Sequence, residues 1–141
     1  MAMSRRDFEI LNHTADVGII ARGTDMKEVF ANAARGMFSI ITRLDDIAES
    51  LHTDIGLTAP DEEGLLVAWL NELIYLFDTE NIIFKRFVIT ELDSTHLKAR
   101  AYGDRVDSTK HRLKIGIKAA TYHMLKIEKN GGCQAQVLFD I

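Results

Sequence analysis

The tripeptide Asn130-Gly131-Gly132 constrains the fold of this chain more than any other feature, because it separates two segments in which apolar and polar residues alternate. Asparagine and glycine tolerate positive φ angles, so the tripeptide is typical of a hairpin turn. A three-residue loop pairs Ile127 with Ala135 and keeps one face apolar, whereas a two-residue loop pairs apolar with polar residues. The sequence therefore predicts an antiparallel hairpin with the three-residue loop.

The predicted register also decides which residues meet at the far end of this hairpin. Extended as one continuous ladder, it pairs His123 with Phe139 and Tyr122 with Asp140. In residues 112–118 cationic and aliphatic side chains alternate, which predicts a further strand with three cations on one face. A cation, a phenol and a carboxylate are thus expected to converge near the last residues of the sequence.

The remainder of the chain predicts two helices and more strands. One helix begins near Thr24, a candidate N-cap, and its apolar residues keep helical spacing as far as Ile41. The second follows Pro60-Asp61-Glu62-Glu63 and extends to about Asp78. Five further segments have the polarity pattern of strands, at residues 8–10, 17–21, 51–57, 82–92 and 97–103. The fold class is therefore α+β, with two amphipathic helices packed on a largely antiparallel β-sheet in a single compact domain, residues 1–141.

Composition excludes several classes of protein. The chain has one cysteine, Cys133, and no pair of Cys-x-x-Cys motifs, which excludes a disulfide scaffold and a conventional zinc finger. No apolar run has the length of a signal peptide or a membrane span, so we expect a cytoplasmic protein without a membrane partner. The net charge of −4 argues against a general polyanion binder, and no DNA partner is expected.

The charges are unevenly distributed along the chain. Residues 1–97 carry 8 Lys or Arg and 17 Asp or Glu, whereas residues 98–141 carry 9 and 4. An ordinary solvated surface accounts for this difference if one domain interleaves both parts. The alternative is a cationic surface for an acidic partner or for RNA.

Two carboxylates at the end of the sequence suggest a metal site. The side chain of Asp140 and the carboxylate of Ile141 could hold a divalent cation if a third oxygen ligand joined them, and Asp16 is the candidate. Oxygen ligands favour Ca²⁺, Mg²⁺ or Mn²⁺ over Zn²⁺. A frayed, solvated terminus is the alternative interpretation.

The histidines offer a second set of ligands. His13, His111, His123 and Cys133 could hold zinc, but their spacing matches no local zinc motif. His123 is expected on an apolar strand face, where a histidine usually has a structural role. His13 lies in a short connection, where a functional and a structural role are equally open. The sequence contains no nucleotide-binding loop and no nucleophile motif.

Three separated motifs together resemble the archease family. They are Asn-His-Thr-Ala-Asp at 12–16, Ile-Lys-Ala-Ala-Thr-Tyr-His at 117–123 and a closing Phe-Asp-Ile at 139–141. The second predicted helix, with Trp-Leu-Asn-Glu-Leu at 69–73, is also similar to the corresponding helix of that family. The resemblance spans essentially the whole chain. Asn12 is a departure, since many archeases have an acidic residue there.

The resemblance implies a function. Archeases are chaperone-like cofactors, not enzymes, that promote guanylylation and repeated turnover of RtcB-type tRNA-splicing RNA ligases, so tRNA is reached only through the ligase. It implies a divalent cation, most readily Ca²⁺, bound by Asp16, Asp140 and Ile141. It also implies that Lys118 contacts the partner or its active site. The remaining candidates for contact with the partner or for support of the cation site are His13, Tyr122 and His123.

Two other functions stay open at the level of sequence. A small metal-dependent hydrolase could use Asp16 and Asp140 to hold an ion and His13 as a base. An RNA-binding adaptor could work through the cations of the expected strand, Arg112, Lys114 and Lys118.

Overall fold

The structure is a computed structural model and describes residues 7–12 and 16–141. Its strands are β1 (Phe8–Asn12), β2 (Val17–Gly23), β3 (Leu51–Thr58), β4 (Ile82–Leu92), β5 (His96–Arg105), β6 (Ala119–Ala120), β7 (Lys126–Glu128) and β8 (Cys133–Asp140). Its helices are α1 (Met26–Ile41) and α2 (Glu62–Glu80), with a short 3₁₀ turn at Leu44–Asp46.

The strands form two antiparallel sheets. The first sheet has the order β1-β2-β8-β6, and β7 also pairs with β8. The second sheet has the order β3-β5-β4. Both helices contact strands of both sheets, so the core lies between the sheets and around the helices. The predicted α+β class is confirmed, with the strands divided between two sheets.

Helix α1 is capped one residue later than predicted. The carboxylate of Asp25, and not Thr24, accepts the backbone N–H of Glu28 at 2.9 Å. Thr24 contributes in a different way, because its N–H and its hydroxyl both donate to the carboxylate of Glu28, at 2.6 and 2.7 Å. These bonds lower the pKa of Glu28. The reciprocal arrangement satisfies backbone donors that the first helical turn leaves without a partner.

Helix α2 follows its prediction closely. Asp61 caps it by accepting a backbone N–H of the first turn at 2.7 Å. The helix ends at Glu80, two residues later than expected, where Asn81 takes the left-handed conformation with φ 55°. Trp69 is fully buried, and its indole N–H donates to the carbonyl oxygen of Phe30 at 2.9 Å, which ties α2 to α1.

Aromatic side chains join the helices to the second sheet. Phe38 of α1 contacts the rings of Phe77, Phe84 and Phe87, with centroids 5.8 to 6.5 Å apart. Burying each large side chain of this kind contributes roughly 1.5–3 kcal/mol. No helix in the described part of the chain combines the length and the apolarity that a membrane crossing requires.

Residues 112–118 form no strand, contrary to the prediction. The carbonyl oxygen of Arg112 accepts the hydroxyl of Thr42 at 2.7 Å, and the N–H of Lys114 donates to the carbonyl oxygen of Ile41 at 2.7 Å. The segment therefore bonds to the end of α1, where the last carbonyl groups of a helix lack partners. An alternating pattern in the sequence does not reveal that a helix end, and not a strand, is the neighbour.

The aliphatic residues of this segment do not share one buried face. Ile117 is buried, but Leu113 and Ile115 are 50% and 39% exposed. In the described part of the chain no strand pairs with Leu113 or Ile115, so their side chains continue no sheet face.

Candidate functional site

The ladder between β2 and β8 ends next to two carboxylates. Val17 and Phe139 are its last pair. The next residues along the chain on the two sides of this pair are Asp16 and Asp140, each one position beyond the ladder. Two of the three predicted metal ligands therefore adjoin the same end of the ladder.

The other edge of β8 brings Lys118 to the same place. Ala119 pairs with Asp140, and the backbone N–H of Lys118 donates to the carbonyl oxygen of Asp140 at 2.7 Å. The side chain of Lys118 is exposed and forms no ion pair within the described residues. Ile141, which follows Asp140, is 45% exposed. The expected proximity of Lys118 to Asp140 is therefore present in the backbone.

The predicted hairpin register is right near the turn and wrong at the far end. Ile127 pairs with Ala135 as predicted. Phe139 pairs with Ala120 instead of His123, which means that the register shifts by three residues between β7 and β6. The additional residues form a turn, so His123 leaves the apolar face and its side chain is exposed.

The turn that shifts the register also displaces Tyr122. The N–H of Leu125 donates to the carbonyl oxygen of Tyr122 at 3.1 Å, and Met124 between them has φ 54°. Tyr122 is 64% exposed, and its hydroxyl lies 3.4 Å from the position that a Cβ on Gly64 would occupy, beside the first turn of α2. The predicted pair of Tyr122 with Asp140 is therefore wrong.

Asn71 of α2 positions β6, and the sequence did not point to this role. Its Oδ1 accepts the N–H of Ala120 at 2.8 Å, and its Nδ2 donates to the carbonyl oxygen of Ala120 at 3.3 Å. The amide takes the place of a neighbouring strand for both backbone groups. The only sign of this role in the sequence is that Asn71, a polar residue, directly follows the apolar pair Trp69 and Leu70, which are buried.

The zinc alternative is wrong for its described members. Cys133 begins β8 and lies at the opposite end of that strand from Asp140, whereas His123 lies in the turn. His111 is buried, and its Nδ1 accepts the N–H of residue 107 at 3.0 Å. Among residues 7–12 and 16–141, no three His, Cys, Asp or Glu side chains come together to hold a metal ion. His13 lies outside the described residues.

The donors at this end of β8 suit a hard divalent cation. Asp16 is half-buried and Asp140 is exposed, and both offer carboxylate oxygens, the donors that Ca²⁺, Mg²⁺ and Mn²⁺ prefer. The described residues supply two acidic side chains here. Ile141, the third predicted ligand, directly follows Asp140.

A groove of about 520 Å³ on the outer face of the second sheet lies among other residues. Its charged groups are already paired, since Arg100 Nε lies 2.7 Å from Asp54 Oδ1. This bond lowers the pKa of Asp54 and raises the pKa of Arg100. The groove wall includes Tyr102, whose ring is covered by the guanidinium of Arg86 at 3.8 Å. The lining contains no predicted site residue.

Comparison with known proteins identifies relatives over the full chain. The sequence pattern of the Archease protein family matches residues 8–141. Protein archease of Methanosarcina mazei is 38% identical over 146 aligned positions, which cover 100% of both chains. Protein archease of Pyrococcus furiosus is 38% identical and covers 96% of this chain and 99% of its own.

Two solved structures share the fold. The solution structure of Methanobacterium thermoautotrophicum protein 1598 has a TM-score of 0.82 at 34% identity and covers 96% of this chain and 99% of its own. The crystal structure of an archease from Thermotoga maritima, named there a possible chaperone, has a TM-score of 0.63 at 21% identity and covers 100% and 99%. By sequence over residues 8–141, the chain belongs to the Archease protein family.

Proposed function

We propose that this protein activates an RtcB-type RNA ligase of tRNA splicing in the cytoplasm, by promoting guanylylation of the ligase and its repeated turnover. Membership of the Archease family supports the proposal. The observation that carries it is the register of β2 and β8, whose last pair, Val17 and Phe139, is directly adjoined by Asp16 and Asp140. Lys118 is bonded to the backbone of Asp140 on the other side. The tRNA is reached through the ligase.

In this proposal Asp16, Asp140 and the carboxylate of Ile141 hold a divalent cation. Ca²⁺ is the best candidate because it accepts irregular, flexible oxygen ligation, whereas Mg²⁺ demands a near-octahedral site; Mn²⁺ is the third option. The bound cation would supply positive charge to the phosphate oxygens of a nucleotide. Lys118, whose ammonium has no described partner, lies on the same end and contacts an anionic group of the ligase. His13, Tyr122 and His123 are the further candidates for contact with the ligase in this proposal.

The protein acts by binding and not by catalysis. A partner shifts the equilibrium between two ligase states only by its difference in affinity for them. A tenfold preference for the state that accepts guanylate corresponds to about 1.4 kcal/mol. No residue of this chain is given a catalytic role.

The test is ligase–guanylate formation with the variants Asp16→Asn and Asp140→Asn, which keep the side-chain size and remove the charge. Both should lose calcium binding in calorimetric titration, and both should reduce stimulation of the ligase at least about tenfold. Asp78→Asn, in an exposed aspartate near the end of α2, is the matched control. Full stimulation by both site variants would contradict the metal site.

The terminal carboxylate has its own test. Removing Ile141 transfers the terminal carboxylate to Asp140 and should weaken calcium binding, whereas Ile141→Val keeps the carboxylate in place and should bind normally. An unchanged titration after the deletion means that Ile141 is not a ligand.

The enzyme alternative is tested with the same preparations. The protein alone should turn over no phosphoester substrate in the presence of Ca²⁺, Mg²⁺ or Mn²⁺. Turnover that is lost in Asp16→Asn would replace the activator by a metal-dependent hydrolase.

A further inference from the structure

Among the described residues, the cationic side chains of residues 112–118 lack the carboxylate partners that cations on the second sheet have. Arg112, Lys114 and Lys118 are exposed, and none forms an ion pair with a described residue. On the outer face of the second sheet, by contrast, three cations have a carboxylate partner, in the pairs Arg86–Glu49, Lys98–Glu91 and Arg100–Asp54. The stretch from 108 to 127 contains no acidic residue. This segment therefore offers positive charge that the fold leaves without a partner.

The same segment exposes aliphatic side chains. Leu113 and Ile115 alternate with the cations and are 50% and 39% exposed. A single exposed aliphatic residue is ordinary on a protein surface. Here two of them share one short segment with unpaired cations, and a Cβ on the next residue, Gly116, would meet nothing within 4 Å. The space beside Gly116 is therefore open.

The backbone of the segment is bonded on one side only. Arg112 and Lys114 bond through their backbone to the end of α1, at Thr42 and Ile41. No described residue forms a hydrogen bond with the backbone N–H or carbonyl of Leu113 or Ile115. The segment is thus held at Arg112 and Lys114, and the backbone groups of Leu113 and Ile115 are free to pair with another chain.

We propose that residues 112–116 bind an extended segment of a protein partner by adding it as a strand, with acidic side chains facing Arg112 and Lys114 and aliphatic side chains facing Leu113 and Ile115. Strand addition uses free backbone groups for affinity and alternate side chains for specificity. The positive segment also steers an acidic chain towards this edge. The proposal concerns a surface outside the carboxylate pair and holds whether or not the partner is the RNA ligase.

A protein strand fits this surface better than RNA does. Sequence-tolerant binding of single-stranded RNA relies on aromatic side chains that stack on bases, and residues 112–118 contain none. Two exposed aliphatic residues and their free peptide groups match a polypeptide instead.

The test is a titration of the ¹⁵N-labelled protein with a capped peptide in which glutamate and valine alternate, at about 150 mM salt. We expect chemical-shift changes concentrated at residues 112–116 and slower hydrogen exchange of the amides of Leu113 and Ile115. A peptide with lysine in place of glutamate is the control and should not bind. Shifts located elsewhere, or tighter binding of a single-stranded RNA than of the acidic peptide, would overturn the proposal.

Two variants separate the contributions of charge and backbone. Lys114→Glu should weaken peptide binding about tenfold, whereas Lys27→Glu, near the opposite end of α1 and roughly 20 Å along the helix from Ile41, should leave it unchanged. Leu113→Pro removes a free backbone N–H and should abolish binding, while Leu113→Val should preserve it. Equal affinity of Lys114→Glu and the wild type would refute the acidic partner. Equal affinity of a folded Leu113→Pro variant would refute strand addition.

Discussion

The two edges of β8 are constructed differently. Along one edge β2 pairs without interruption, from Val17 with Phe139 to Gly23 with Cys133. Along the other edge β7 and β6 pair in registers three residues apart, with a turn between them. The uninterrupted edge positions Asp16, and the interrupted edge positions Lys118.

The difference shows how each side of the candidate site depends on its surroundings. On the β2 side, Asp16 directly adjoins a ladder of seven consecutive residue pairs. On the other side β6 has two residues only. The N–H and the carbonyl of Ala120 both bond to the side-chain amide of Asn71. Disrupting β2 should therefore damage the whole sheet, whereas disrupting the β6 side should loosen one short strand.

The largest effect is expected from Gly18→Val. A Cβ at Gly18 would lie 2.4 Å from Leu138 Cδ2 and 2.7 Å from the carbonyl oxygen of Val137, and the backbone atom cannot move without disturbing the ladder. We expect the free energy of unfolding to fall by about 3 kcal/mol, measured by urea denaturation. Gly56→Val is the control, because a Cβ there meets nothing within 4 Å and a β-branched residue suits a strand. Equal stability of the two variants would contradict the close approach.

A smaller effect is expected from Asn71→Ala. The change leaves the N–H and carbonyl of the nearly buried Ala120 without partners, which should lower the free energy of unfolding by about 2 kcal/mol. The amide of Ala120 should exchange faster with solvent while the amides of β2 keep their protection. Glu72→Ala, the neighbouring position on α2, should change neither. If β2 loses protection to the same degree, the two edges of β8 are not independent.

The sequence predicted the regular strands and helices around β8, but it did not predict the register shift between β7 and β6. The strand over 82–92, the helix α2 and the pair Ile127–Ala135 follow from periodicity and from turn chemistry, which are local. The shift near Met124 does not, because the apolar pattern continues through the turn and a positive φ at methionine leaves no mark in the sequence. Tertiary contacts decide such positions.

The surroundings of the candidate site were predicted in part. The sequence singled out Asp16 and Asp140 in a short connection and at a strand end, and both directly adjoin the last pair of the β2–β8 ladder. The expected strand over 112–118 failed because its alternation fits a strand, whereas its backbone bonds to the end of α1 through Thr42. The role of Asn71 was not predicted, because a single asparagine in a helix gives no indication of which backbone groups its side chain will bond.

A still smaller effect should come from Met124→Gly. A left-handed conformation costs a residue with a Cβ about 1–2 kcal/mol, and glycine avoids this cost while losing more backbone entropy on folding. Because Met124 is 58% exposed, little packing is lost, and we expect a stabilisation of about 0.5 kcal/mol in urea denaturation. His123→Gly, at the preceding residue, should instead destabilise. A loss of stability in both variants would mean that the turn does not hold Met124 in this conformation.

The smallest effect should be a pH dependence that Asp107 contributes at the start of the segment leading to β6. Hydrogen bonds from the hydroxyl and the N–H of Thr109 lower the pKa of Asp107 in the folded protein. The unfolded chain therefore binds more protons as the pH falls below about 4, so the stabilisation is present above the ordinary pKa of aspartate and is lost as the pH falls through the folded pKa. Asp107→Asn keeps an oxygen acceptor and removes the charge. In urea denaturation its deficit against the wild type should shrink as the pH falls, whereas Asp78→Asn should show no such trend. A deficit that stays constant with pH would mean that the charge of Asp107 does not stabilise the folded protein.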